Sequence, residues 1–129
     1  MRALKLAVFG WLVPGGAYLL MRRYLQFAVF AFVVCATFAA GLALHGGCRW
    51  PQPAELAGLD GFTALMFKAG ALARLFAGGP YLVAQILDGS SSFLGGRLHE
   101  YGTTLLMMAG LINLLAVFSA FDLRKDKAR

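Results

Sequence analysis

Two histidines, one cysteine and one glutamate mark the chemical reach of this chain. His45 and Cys48 follow one long apolar run, and His99 and Glu100 precede another. If the two runs form antiparallel helices, the four residues share a level at one end of the pair. Imidazole nitrogen, thiolate sulfur and carboxylate oxygen can together hold a transition metal, and two axial histidines can hold haem. The spacings that mark dedicated sites (CxxC, HxxxH, CxxCH) are absent. A histidine at a helix end beside a polar boundary ordinarily acts as a solvated cap. No resident cofactor is therefore expected, and a redox role through His45 and His99 stands only as an alternative.

Nucleophilic and phosphate chemistry find still less. Ser90-Ser91-Ser92 lies among glycines without a nucleophile elbow, and no G-x-x-x-x-G-K-[ST] loop occurs. The acidic residues all fall outside the apolar runs, so a proton relay of buried carboxylates is missing. The expectation is a protein that is not an enzyme.

One polar residue stands out because it is where it should not be. Asn113 interrupts the apolar run Tyr101–Phe121, while Pro14-Gly15-Gly16 breaks an earlier one, Leu6–Met21. Counted from the adjacent basic residues, Asn113 and Pro14 lie at similar depth, about 12–14 Å at helical rise. Proline removes a backbone donor and clashes with the preceding turn. The Asn113 amide is expected to satisfy backbone carbonyls freed there, because unpaired polar groups in an apolar medium cost several kcal/mol. The alternative is a polar spot lining a substrate path.

The elements that must position these residues follow from composition. Of 129 residues, 60% are hydrophobic and 14% charged, with a mean hydropathy of +0.70. A soluble globule this small has too little interior to hide so much apolar surface. The reading is a single all-α membrane domain. Residues 25–44 and 101–121 are each long enough, at 1.5 Å per residue, to cross the roughly 30 Å hydrocarbon layer. Residues 6–21 form a broken membrane segment, a tilted short span or a re-entrant hairpin. Residues 45–100 form an outer segment with an amphipathic helix, in which Asp60, Thr63, Lys68 and Arg74 share one arc. That helix is read as lying in the membrane interface, since Lys68 and Arg74 would each cost about 2.5–3.5 kcal/mol at mid-membrane. A bent or dipping pair over residues 59–87 is the other arrangement.

Charge sets orientation. Twelve Lys and Arg against six Asp and Glu give +6. The 45–100 segment is neutral, so the excess comes from Arg2, Lys5, Arg22 and Arg23 and from the tail 122–129, with Arg124 and Lys125. Basic residues at the edges of apolar runs orient membrane proteins rather than bind nucleic acid. Arg22, Arg23 and the tail are thus expected on the cytoplasmic side. Small residues four apart on the 25–44 helix, Ala36 with Ala40 and Thr37 with Gly41, suit close helix packing within the chain or with a partner, as do Ala116 and Ala120. Cys35, mid-run, reads as a small core residue, too far along the chain from Cys48 for an internal disulfide.

The stretch Trp11-Leu12-Val13-Pro14-Gly15-Gly16-Ala17-Tyr18-Leu19, followed by Arg22-Arg23, resembles the Pro-Gly signature of small bacterial membrane proteins related to the two-transmembrane-domain family. Glu100-Tyr101-Gly102-Thr103-Thr104, with Asn113 and Asp122, is similar to an uncharacterised bacterial family sharing that beginning. Ala17, Tyr18 and Met21 stand where the pattern usually has glycine or histidine. The resemblance implies a membrane address and a topology, not an activity, and the expected location is the bacterial inner membrane. The expected partners are the lipid bilayer and either other membrane subunits or further copies of the chain, in an accessory or scaffolding role. A small oligomeric carrier or channel is the alternative.

Overall fold

Tyr24–Ala43 contains no proline and, after Tyr24, only Gln26 and Thr37 as polar residues, and it forms one unbroken helix. The computed structural model describes residues 2–47, 50–87 and 97–128. In chain order the helices are α1 (Arg2–Leu12), α2 (Gly16–Leu20), α3 (Tyr24–Ala43), α4 (Pro53–Leu56), α5 (Gly61–Leu75), α6 (Gly79–Leu87) and α7 (Arg97–Ala128). No strand occurs among the described residues. Among these helices, α3 and α7 are long and apolar enough to cross a membrane.

The frame is the antiparallel pair α3 and α7. Glycine lets their backbones meet: a Cβ on Gly41 would lie 2.9 Å from the carbonyl oxygen of Gly102. Further along, Val34 and Phe38 of α3 pack with Leu106 and Ala109 of α7. The short helices α1 and α2 form an antiparallel hairpin against the other half of this pair. Leu6, Ala17, Tyr18, Ala116 and Ala120 bury together there, with Met21, Phe27 and Leu123 against them. Tyr18 stacks on Phe30 with ring centres 5.2 Å apart. The basic residues Lys5, Arg22, Arg23 and Arg124 adjoin that cluster, so they share one end of the bundle, the arginine end. His45 and His99 mark the other, the histidine end.

The amphipathic segment does not lie across the histidine end, as the cost of a buried arginine suggests. α5 runs along α7 in the same direction, with Gly70 beside Met107 and the Ala73 carbonyl against Gly110. Its last turn reaches Asn113, roughly 24 Å along α7 at helical rise. Two local facts permit this. Gly70 and Ala71 are buried in α5, and Gly110 of α7 lies against the Ala73 carbonyl and the Ala77 N–H, a small-residue contact that lets the backbones touch. Arg74 is buried, yet its guanidinium reaches back to the carbonyls of Gly47 and Gly70, so its charge is not left bare. Lys68 stays exposed. Residues 61–75 thus pack lengthwise on α7, and the turn at Gly78 leads into α6.

Asp60 starts α5 as its N-cap, accepting from the Thr63 N–H and hydroxyl. The Thr63 hydroxyl, chiefly, holds this carboxyl below the usual range. A depressed folded value means the cap's contribution is complete above the unfolded pKa and is lost as pH falls through the folded one.

The α5–α7 contact yields a test. A Cβ on Gly110 would lie 1.8 Å from the Ala73 carbonyl oxygen, whereas one on Gly58 would meet nothing within 4 Å. Gly110→Ala should lower unfolding stability by about 1–3 kcal/mol. Gly58→Ala should stay within about 0.5 kcal/mol. Thermal melts of the two purified variants in one mild detergent make the comparison.

Candidate functional site

In an uninterrupted helix the Gly15 N–H would bond the Trp11 carbonyl, four residues back. Pro14 and the left-handed turn at Gly15, φ 73°, break that bond. Asn113 inserts its side-chain amide into the gap. Its Oδ1 accepts from the Gly15 N–H at 3.3 Å, and its Nδ2 donates to the Trp11 carbonyl at 3.3 Å. The amide thus reconnects the two groups that the proline turn separates. Its second hydrogen goes to the Phe76 carbonyl at 2.9 Å, just past the end of α5. The residue is fully buried, and both donors are in use.

A second turn meets the first at this point. Gly78 is also left-handed, φ 71°, and a Cβ there would fall 1.7 Å from the Trp11 carbonyl oxygen. The Trp11 indole N–H donates to the Leu75 carbonyl at 3.0 Å. The tip of α1–α2 and the turn between α5 and α6 therefore abut midway along α7. α1 arrives from the arginine end and α5 from the histidine end. Beyond the turn, Tyr81 and Ala84 of α6 join the Phe38–Leu106 core.

The two turns also match in sequence. Leu12-Val13-Pro14-Gly15-Gly16-Ala17-Tyr18-Leu19 aligns with Leu75-Phe76-Ala77-Gly78-Gly79-Pro80-Tyr81-Leu82 at one constant offset, with identity at both leucines, both glycines and the tyrosine. Each follows a helix, opens a shorter helix and precedes a long one. Tyr18 and Tyr81 are both buried. The chain thus contains a similar glycine turn twice, approached from opposite ends of the bundle. Reading for motifs one at a time misses this; the repeated Leu-x-x-Gly-Gly-x-Tyr-Leu was the available signal.

At the histidine end, α3 closes with the Gly46 N–H on the Gly41 carbonyl and the His45 N–H on the Leu42 carbonyl. This places His45 at φ 57°, in the position that commonly belongs to glycine. His99 Nδ1 lies 2.7 Å from the His45 carbonyl oxygen. The Thr103 hydroxyl accepts from the Gly47 N–H and donates to the His99 carbonyl. His45 and His99 are thus brought together, through the backbone of the first. Glu100 points outward, and Cys48 lies outside the described residues. Among the described residues no three His, Cys, Asp or Glu gather to hold a metal.

The packing expectations divide. Gly41 is buried at the α7 crossing, and Ala116 and Ala120 are buried against the α1–α2 hairpin. Ala36 and Ala40 are exposed, and so is Cys35, which is not a core residue. The face of α3 that meets α7 is Val34, Phe38 and Gly41, and one residue further along is a rotation of 100° away from it. Pro14, Gly15 and Gly16 are all buried at the turn. Arg22 and Lys125 are exposed, with Arg23 and Arg124 half-buried.

A helical chain with two helices long and apolar enough to cross a membrane, locked by an asparagine at two opposed glycine turns, is the class these features define. The chain belongs to a family of unknown function, DUF6677, whose profile matches residues 5–129. Comparison with curated proteins and with solved structures gave no match.

Replacing Asn113 by leucine leaves one N–H and two carbonyls without partners. Asn113→Leu should lower stability by about 2–4 kcal/mol. Proteolysis should speed up at both turns together, near residues 13–16 and 76–79. Unchanged melting and protease resistance would remove Asn113 from its bridging role.

Proposed function

We propose that this is an integral protein of the bacterial inner membrane that works without catalysis, as an accessory or scaffolding subunit of a larger membrane assembly. The observation that carries the reading is the distribution of side chains on α3 and α7. Leu25 and Phe32 of α3 and Leu115 and Phe118 of α7 face outward, while Val34, Phe38 and Gly41 of α3 and Gly102, Leu106, Ala109, Gly110 and Asn113 of α7 are buried on the inside. Water would strip such a surface of stability, whereas lipid matches it, and small residues are what let helices approach inside a bilayer. Tyr24 and Tyr101 are exposed near opposite ends, at the levels where aromatic side chains favour headgroups. The basic residues at the arginine end suit a cytoplasmic position for that end and for the C-terminus. In this placement both turns are re-entrant, entering from opposite faces and meeting at mid-depth.

The scaffolding role follows from what the polar groups do. Asn113 spends both amide hydrogens on backbone carbonyls and its oxygen on an N–H, which fixes helices rather than receiving a ligand. A second reading, a small oligomeric carrier, is favoured by one observation, the inverted pair of broken helices. Discontinuous helices in inverted repeats are how many secondary transporters build a mid-membrane site. In that case the lumen would form between copies.

Native-membrane purification under mild detergent, with mass spectrometry of co-eluting chains, separates the two. A scaffolding subunit should come out with a fixed set of other membrane proteins. Recovery as a homo-oligomer that carries solute flux in vesicles would support the carrier, and recovery as a lone monomer would end the subunit reading. A reporter joined after Arg129 should be accessible from the cytoplasmic side; periplasmic access would invert the orientation.

A further inference from the structure

We propose that the arginine end is a binding site for anionic phospholipid headgroups, with the Arg22 guanidinium holding the phosphodiester. The proposal rests on the membrane reading and adds to it a ligand of defined charge.

Three separate stretches of chain deliver basic groups to this end. Lys5 adjoins Leu6, Arg22 and Arg23 follow Met21, and Arg124 and Lys125 follow Leu123. Leu6, Met21 and Leu123 meet in one buried cluster. Asp122 and Asp126 are exposed on the same stretch of α7, and five basic groups against these two carboxylates leave the end positive. The folding of the hairpin, not sequence proximity, makes the cluster.

Arg22 occupies a backbone position that the fold reserves for glycine. α2 ends with the Arg23 N–H on the Tyr18 carbonyl at 3.0 Å and the Arg22 N–H on the Leu19 carbonyl at 3.1 Å. That pattern puts the residue between them in the left-handed region, and Arg22 has φ 58°. An L-residue is disfavoured there relative to glycine. The Arg22 side chain is exposed, so burial within the chain does not offset the strain. A left-handed arginine with an exposed side chain, where glycine would hold the same turn, points to a role outside the turn. Next to it, the Arg23 guanidinium donates to Gln26 Oε1 at 3.1 Å, which keeps a second cation in place.

The surface beneath these cations selects a lipid over a free phosphate. Tyr24 is 63% exposed and Leu25 80% exposed, directly following the two arginines. Val29 and Phe32 continue the apolar face, at 54% and 75%. A cationic rim above an outward apolar strip matches a molecule with an anionic head and an aliphatic tail. The guanidinium fork fits phosphate oxygens two at a time, and each basic residue near a membrane surface adds attraction to anionic lipid.

The test uses the full-length protein in a neutral detergent, offered equal phosphatidylglycerol and phosphatidylcholine, with bound lipid counted by native mass spectrometry. The wild type should retain phosphatidylglycerol at least about tenfold over phosphatidylcholine, with the preference falling as salt is raised. Arg22→Gly should reduce the preference about fivefold, the factor carried by one juxtamembrane charge, while its melting temperature holds or rises because glycine suits the turn. Arg22→Lys, which keeps the charge but not the planar fork, should restore part of the preference. Lys125→Gln, on an exposed helical face, should give a smaller loss in the same direction, and Arg97→Gln near the opposite end should give none. Equal retention of the two lipids, or full preference in Arg22→Gly, overturns the proposal. Loss of the preference on adding free glycerol phosphate overturns the lipid in favour of a soluble phosphate ester. Failure to enter vesicles of either lipid overturns the membrane reading, and this site with it.

Discussion

A helix that stops halfway leaves backbone groups that water normally satisfies, and here the broken turn is buried in the middle of the bundle. The Asn113 amide meets that requirement. A primary amide carries the same donor and acceptor as a peptide group, so it can stand in for the missing helical turn between Trp11 and Gly15. Because it has a second hydrogen, it binds the end of α5 as well. Both turns and the end of α5 are thereby tied to that one side chain. Leucine in its place would fit the apolar surroundings and fail the backbone.

The bond works because bulk is removed around it. Gly78 lets one turn come against the carbonyl of the other, and Gly110 lets α5 lie on α7. Trp11 supplies the opposite: a large ring that fills space and offers one N–H, which it gives to Leu75. Close approach and hydrogen bonding thus support each other. Remove the glycines and the carbonyls move out of reach of the amide; remove the amide and the close contact holds unpaired carbonyls against each other.

The long helices were legible in sequence because length and hydropathy decide them. α3 begins one residue before the expected run, and α7 extends past 101–121 at both ends because Arg97–Glu100 and the charged tail continue the helix. The pairing of Asn113 with the Pro14 turn was legible from depth alone, though the Phe76 carbonyl was not. The path of α5 was hidden, since a penalty assigned to an isolated arginine does not know that the Gly47 carbonyl waits within reach. Ala36, Ala40 and Gly41 show a different limit. Spacing of four identifies a face, but rotation about the helix axis decides which face meets α7, and only Gly41 does.

The order of the chain gives the Asn113 bridge a temporal meaning. A ribosome delivers the Pro14 turn first and the asparagine that completes it roughly a hundred residues later. Until α7 emerges, the Gly15 N–H and the Trp11 carbonyl lack the amide that pairs them in the finished fold. α7, which follows both turns in the chain, is therefore the latch that closes them.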